Sequence, residues 1–330
     1  MSDDMIFILL IVGVVLFWVI LILIILRARK RLDKKYPLLK RERPAKRAAQ
    51  PEAVPVPDGL EEILARVKEN TRRESIRLLP QEGPAPGLFD SKIGGLPHWD
   101  LTKAYPTDRE GQPLALLAQI DLSRLPENGR LPKEGLLQFF IRPDDMYGMD
   151  LKDNEDPDGF RVVWHERVDT SVTEDKIRAQ NWPNSFTCGY DLPVSGEFAL
   201  AFQKETVHLG DEDELLEEEL RRAAGELKRT LPEDFSLYKA IGRTPLYDEW
   251  AGTNAGSRML GYPWFVQGDP RPADTPYDTL LFQLDSYFSG TPHPGQDIMW
   301  GDAGVGNFFI RSRDLEEKRF DRIYYTLDCG

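Results

Sequence analysis

Two short polar patterns recur in the chain. Gln119 and Asp121, in "LLAQIDL", lie two residues apart, and Gln283 and Asp285 repeat that spacing in "LLFQLDS". In a strand such a pair shares one face. If the two segments packed about a twofold axis, four amide and carboxylate groups could line a common groove and hold a polar ligand. The alternative is that each Asp caps the turn after its strand. A third candidate is "WGDAG", where Trp300 and Asp302 place an aromatic ring beside a carboxylate between two turns. It reads either as an exposed ligand loop or as a structural Trp with an Asp fixing the turn. Gln119, Asp121, Gln283, Asp285, Trp300 and Asp302 are therefore the candidate ligand-binding residues, and no catalytic residue is assigned.

Other chemistries find weaker support. "DNEDPDGFRVVWH", Asp153 to His165, has acids at calcium-ligand spacing and a Gly at the sharp turn. His165 stands where the bidentate Glu belongs, so an acidic hairpin turn fits better. His98, His165, His208 and His293 are scattered and show no metal spacing. There is no G-x-S-x-G elbow, and Cys188 in "SFTCGY" has no base beside it in sequence. No metal and no cofactor is expected. Acids are abundant, so carboxylate-based hydrolysis stays open as an alternative.

The positioning elements show through an internal repeat. "LLAQIDL" (116–122) matches "LLFQLDS" (280–286), "GLLQFFIRPDDM" (135–146) matches "GVGNFFIRSRDL" (304–315), and "IGGLPHW" (93–99) echoes "LGYPWF" (260–265), all in the same order. This predicts a duplication with halves at about 93–146 and 260–315. The repeat also settles a Gly-rich stretch, "MWGDAGVGNFFI", that resembles a phosphate cradle. Gly304 aligns with Gly135, but Gly306 aligns with Leu137. A cradle needs its glycines so that backbone N–H groups can approach the anion. The segment is therefore a turn entering a strand, with Gly306 marking a bulge or a close approach. Alternation predicts strands in "GEFALAFQKETV" and "FRVVWHERV", and helical spacing predicts helices over 60–79 and 212–229.

"SKIGGLPHW", "LALLAQIDLSRLP", "GLLQFFI", "DDMYGMD", "LGYPWFVQGDPR", "LLFQLDS", "MWGDAGVGNFFI" and "YYTLDC" together resemble the YwqG-like family, a bacterial family of unknown function, over about residues 80–330. The resemblance implies an α+β fold, mainly antiparallel sheet on two related halves. It implies no reaction, cofactor or catalytic residue.

The N-terminal region differs in kind. Residues 6–26 form an uncharged apolar run, and residues 27–50 carry eleven Lys/Arg against two acids. An apolar run of this length predicts a transmembrane helix over 1–26. The basic residues after it predict an N-terminus outside and a cytoplasmic C-terminal domain at the inner membrane. Residues 27–58, basic and then Pro-rich, read as a tether whose residues 27–47 face anionic lipid headgroups. That leaves one domain over 59–330. The chain's net charge of −13 conceals a body of −20 over residues 51–330, which disfavours nucleic acid. Two cysteines suit a reducing compartment. The functional expectation is a membrane-anchored binding or interaction protein for an unknown protein or small ligand. A carboxylate-dependent hydrolase and a toxin-immunity-like protein are the alternatives.

Overall fold

The computed structural model describes residues 56–81, 83–211, 213–242, 244–272, 274–287 and 297–330. The predicted span over 6–26 and the lipid-facing residues 27–47 lie outside them. Among the described residues no helix is long and apolar enough to cross a membrane.

The strands are β1 (Arg73–Gln81), β2 (Lys92–Gly94), β3 (Ala115–Asp121), β4 (Leu136–Ile141), β5 (Phe160–His165), β6 (Val194–Ser195), β7 (Glu197–Val207), β8 (Arg258–Leu260), β9 (Thr279–Asp285), β10 (Asp297–Ile298), β11 (Val305–Ile310) and β12 (Ile323–Asp328). The helices are α1 (Leu60–Asn70), α2 (Glu174–Arg178), α3 (Leu216–Glu226), α4 (Leu237–Ile241), α5 (Pro245–Asp248) and α6 (Ser312–Glu316). Ten strands form one sheet in the order β12-β11-β9-β8-β1-β7-β2-β3-β4-β5. Every adjacent pair is antiparallel.

The sheet curls until its two edges nearly meet. Ahead of β5, Asn154 exchanges two hydrogen bonds with the backbone of Tyr325 in β12: the Tyr325 N–H donates to its carbonyl at 2.9 Å, and its Nδ2 donates to the Tyr325 carbonyl at 2.8 Å. The Phe160 and Tyr325 rings stand 5.3 Å apart across the same seam. Closure removes sheet edges that would otherwise expose unpaired backbone groups. The barrel interior is packed with side chains. Phe139 of β4 stacks on Phe282 of β9 at 4.3 Å, and Phe308 of β11 stacks on Tyr325 at 4.4 Å.

This corrects the expected fold. The expectation was an α+β protein whose two halves bury separate sheet faces against each other behind a transmembrane helix. The structure is instead a mostly antiparallel, nearly closed barrel, and a single curled sheet buries its own inner face. Inside the barrel, where the halves meet, the Phe139–Phe282 stack fills the place expected for a groove.

The two copies of the repeat are legible in the strand registers. Gln119 of β3 faces Gln138 of β4, and Gln283 of β9 faces Asn307 of β11. The register slips at matching points, at Leu117 in β3 and at Leu281 in β9. The strand preceding each copy pairs with the other copy: β1 pairs with β8, and β7 with β2. The equivalence extends to single bonds, since the Leu78 N–H donates to Ser257 at 2.9 Å and the Leu200 N–H donates to Ser91 at 3.1 Å. Pairing of β1 with β7 then joins the copies at the centre of the sheet. Each copy thus lends its first strand to the other, as in a domain swap within one chain.

Helices cover part of the outer face. The α1 residues Leu60, Ile63, Leu64 and Val67 pack with α3 residues Leu216, Leu220, Ala223 and Ala224. Helix α3 lies within the predicted 212–229. Helix α1 stops at Asn70 instead of running to Leu79, because Ile76 and Leu78 alternate into the barrel as β1.

Candidate functional site

The two Gln-x-Asp pairs do not converge. In β3, Ala118 and Ile120 face the barrel core, which turns Gln119 outward; Phe282 and Leu284 do the same for Gln283. Both glutamines are nonetheless fully buried, each under its own covering loop. Gln119 Nε2 donates to the carbonyls of Leu88 and Asp90, both at 2.9 Å, and its Oε1 accepts from the His98 N–H at 3.0 Å. Gln283 Nε2 donates to Asn254 at 3.0 Å and Gly256 at 2.7 Å, and its Oε1 accepts from the Trp264 N–H at 2.8 Å. These amides tie loop backbone to the sheet, satisfying groups that would be costly to bury alone.

The carboxylates are likewise used locally. Asp121 accepts from the Ser123 N–H at 3.0 Å and its hydroxyl at 2.7 Å, which caps the turn after β3. Asp285 accepts from the Gly256 N–H at 2.6 Å, and burial pushes its carboxyl above the usual range. Trp300 is fully buried, with its ring 5.5 Å from that of Tyr147. Asp302 is exposed in the turn beyond it. Gly306 is a close approach, since a Cβ there would lie 2.5 Å from the Trp300 ring. In the acidic hairpin, Asp158 accepts from the Arg109 N–H at 2.7 Å and from Arg142 at 3.0 Å, and Asp156 accepts from Arg109 at 2.7 Å. Among the described residues no three His, Cys, Asp or Glu side chains could hold a metal ion.

A concavity of about 500 Å³ opens over the outer face of β5 in the first copy, lined by Trp99, Lys103, Tyr105, Thr107, Arg161 and His165 among others. That size suits a small ligand or a single side chain. Alternation along β5 puts Arg161, Val163 and His165 on this face. The floor is aromatic: Trp99 meets Tyr105 edge-on at 5.3 Å, and Trp182 stacks on Tyr105 at 3.7 Å.

The polar groups of the cleft are fixed from below. Gln138 Nε2 donates to the His98 carbonyl and to Gln119 Oε1, both at 2.7 Å. Its Oε1 is therefore an acceptor, and His165 Nε2, 2.8 Å away, carries the proton toward it. Burial holds the His165 imidazole down to about 4, with the His98 and Lys103 charges adding, so the ring is neutral at pH 7. Arg161 donates to the carbonyl of Phe160 at 2.7 Å and of Thr107 at 3.2 Å. Burial lowers its pKa, partly offset by Asp158 and Asp156. Those two acids are already held by Arg109 and Arg142, and among the described residues no carboxylate forms an ion pair with Arg161. Lys103 sits 3.4 Å from Asp100. Asp156 and Asp158 thus act on the Arg161 guanidinium of the cleft wall through space, without a direct ion pair.

The second copy differs at the matching positions. Asp328 stands where His165 stands, by the register of β12 on β11 and of β5 on β4. Its carboxylate accepts from the N–H groups of Val266 at 2.7 Å and Gln267 at 2.6 Å, fastening that loop to the sheet. Arg271, in the place of Tyr105, lies 3.9 Å over the Phe309 ring and donates to the Tyr277 carbonyl at 2.8 Å. In the first copy the corresponding loop begins at Asp100 and the exposed Leu101, and His165 turns inward to Gln138 instead.

Sequence reasoning missed this cleft. Trp99 fell inside a matched block, but Lys103, Tyr105, Arg161 and His165 lie beyond the blocks. The usable signal was "VVWH" set against "YTLD", the outermost strand of each copy.

The fold and its buried glutamine ties define a duplicated, strand-exchanged antiparallel barrel. The chain belongs to the family described as Domain of unknown function (DUF1963), which matches residues 91–329. The match begins after β1, so the strand that completes the second copy precedes it. No curated protein matches the chain.

Proposed function

We propose that this chain is a binding protein and that its ligand occupies the cleft of the first copy. One observation carries the reading. The same scaffold is built twice, and Asp328 grips the start of its covering loop in the second copy, whereas His165 turns inward to Gln138 and the first copy's loop is held farther along, at Thr107, by Arg161, which has no carboxylate at ion-pair distance among the described residues. The candidate carboxylates Asp121 and Asp285 are engaged with the chain's own turns, which favours binding over carboxylate-based hydrolysis. Placement among YwqG-like proteins rests on the motif set and is part of the same proposal.

The reading is tested by ligand-observed saturation-transfer NMR with a fragment set on the full chain, against Val163→Trp, which fills the cleft from β5. Fragments that bind the native chain should lose their signal with the filled variant. Binding that is indifferent to Val163→Trp contradicts the reading.

A further inference from the structure

We propose that the cleft takes a monocarboxylate carried on an apolar body, with Arg161 as the group that receives the anion; this rests on the reading that the cleft is a binding site. Charge is the first argument. Lys103 is matched by Asp100 at 3.4 Å, whereas among the described residues Arg161 has no carboxylate partner. Asp156 and Asp158, held by Arg109 and Arg142, act on Arg161 through space, and they oppose a dianion more than a monoanion.

Geometry is the second argument. Two of the five N–H groups of Arg161 are spent on the carbonyls of Phe160 and Thr107. These bonds fix the guanidinium plane and leave three donors, enough for a planar two-oxygen acceptor. The aromatic floor of Trp99 and Tyr105, with Val163 on the wall, supplies apolar contact for whatever carries the carboxylate. A free small acid and the C-terminal residue of a peptide share this chemistry.

The test measures binding to the full chain of phenylacetate, N-acetylphenylalanine, N-acetylphenylalaninamide, phenyl phosphate and a short N-acetylated peptide ending in phenylalanine. The two monocarboxylates should bind at least about tenfold more tightly than the amide, the scale of a charge-assisted hydrogen-bond pair. Arg161→Gln should erase that preference, and Arg161→Lys should restore only part of it. Tighter binding of the peptide than of N-acetylphenylalanine assigns the ligand to a chain terminus; the reverse assigns it to a small acid. Equal binding of acid and amide, or tighter binding of phenyl phosphate, overturns the carboxylate proposal and leaves the cleft as a binding site. Failure of every probe and every fragment overturns both. The acid–amide comparison is made on the native chain, so it holds even if the Arg161 variants fold poorly.

Discussion

The outer faces of the two copies begin alike and end differently. In each, a buried glutamine reaches up from the strand to hold the loop before it, Gln119 in the first and Gln283 in the second. At the end of the outermost strand the copies diverge. Asp328 grips the loop amides of Val266 and Gln267, whereas His165 bonds downward to Gln138. The shared part is what a strand-exchanged barrel needs in order to fold. The divergent part is free to differ because the barrel core does not depend on it. A duplicated scaffold can in this way keep its framework and vary one end of its outer face between the copies.

The largest effects should come from the shared part. Gln119→Leu leaves two carbonyls and the His98 N–H buried without partners, and Gln283→Leu does the same to two carbonyls and the Trp264 N–H. Each should lower stability by about 3 kcal/mol or more in urea unfolding, at 1–3 kcal/mol per orphaned group. A near-neutral Gln283→Leu would break the equivalence of the two ties.

Next comes a backbone asymmetry inside that equivalence. Gly94 has φ +69°, and a Cβ there would lie 2.5 Å from the Gly196 carbonyl; Leu260, at the matching place in β8, adopts φ +63° with a side chain. Gly94→Ala should therefore cost about 2 kcal/mol or more through left-handed strain and the clash. A thermal melt within a degree of wild type would show that the first copy can relax as the second has.

The third prediction separates the ends of β5 and β12 by pH. The folded His165 imidazole is held to about 4, against an ordinary value of 6.5. Between these values the unfolded chain binds the proton and the folded chain does not, so His165's contribution is complete above about pH 6.5 and is lost as pH falls toward about 4. The loss is on the order of 3 kcal/mol. Urea midpoints across this range should fall more steeply for wild type than for His165→Gln. Parallel curves would place the ring in solvent.

The smallest effect is expected from releasing the tied loop of the second copy. Asp328→Ala removes the acceptor for the Val266 and Gln267 amides and should cost about 1 kcal/mol. Hydrogen exchange should speed up at those two amides and leave β11 unchanged. Unchanged exchange at 266–267 would mean that Asp328 does not hold the loop.

Much of the shared part was legible in sequence, and little of the divergent part was. The repeat stood out because Gln, Phe-Phe-Ile and the Gly-Pro turn are fixed by burial and backbone geometry in both copies. The exchanged first strands were hidden, because "RESIRLLPQ" and "EFALAFQKETV" share little beyond alternation although their strand neighbours are equivalent. Gln119 and Gln283 were found, but their role was not, since spacing along a strand cannot tell a groove from a loop tie. Trp300 read as a loop residue because its turn residues are local, whereas its burial depends on Tyr147 and on the absent side chain of Gly306. His165 and Arg161 become a site only when the Trp99–Thr107 loop folds over β5, a contact between distant segments.

The central claim is that one scaffold, built twice, has diverged so that the cleft over β5 in the first copy, and not the tied loop of the second, takes the ligand. Its most direct test is a crystal structure of the full chain soaked in phenylacetate. Density for the carboxylate at Arg161, with the ring over Trp99 and Tyr105 and none beneath the Val266–Arg271 loop, is the predicted result. Density in the second copy, or bound ligand that leaves Arg161 untouched, would contradict it.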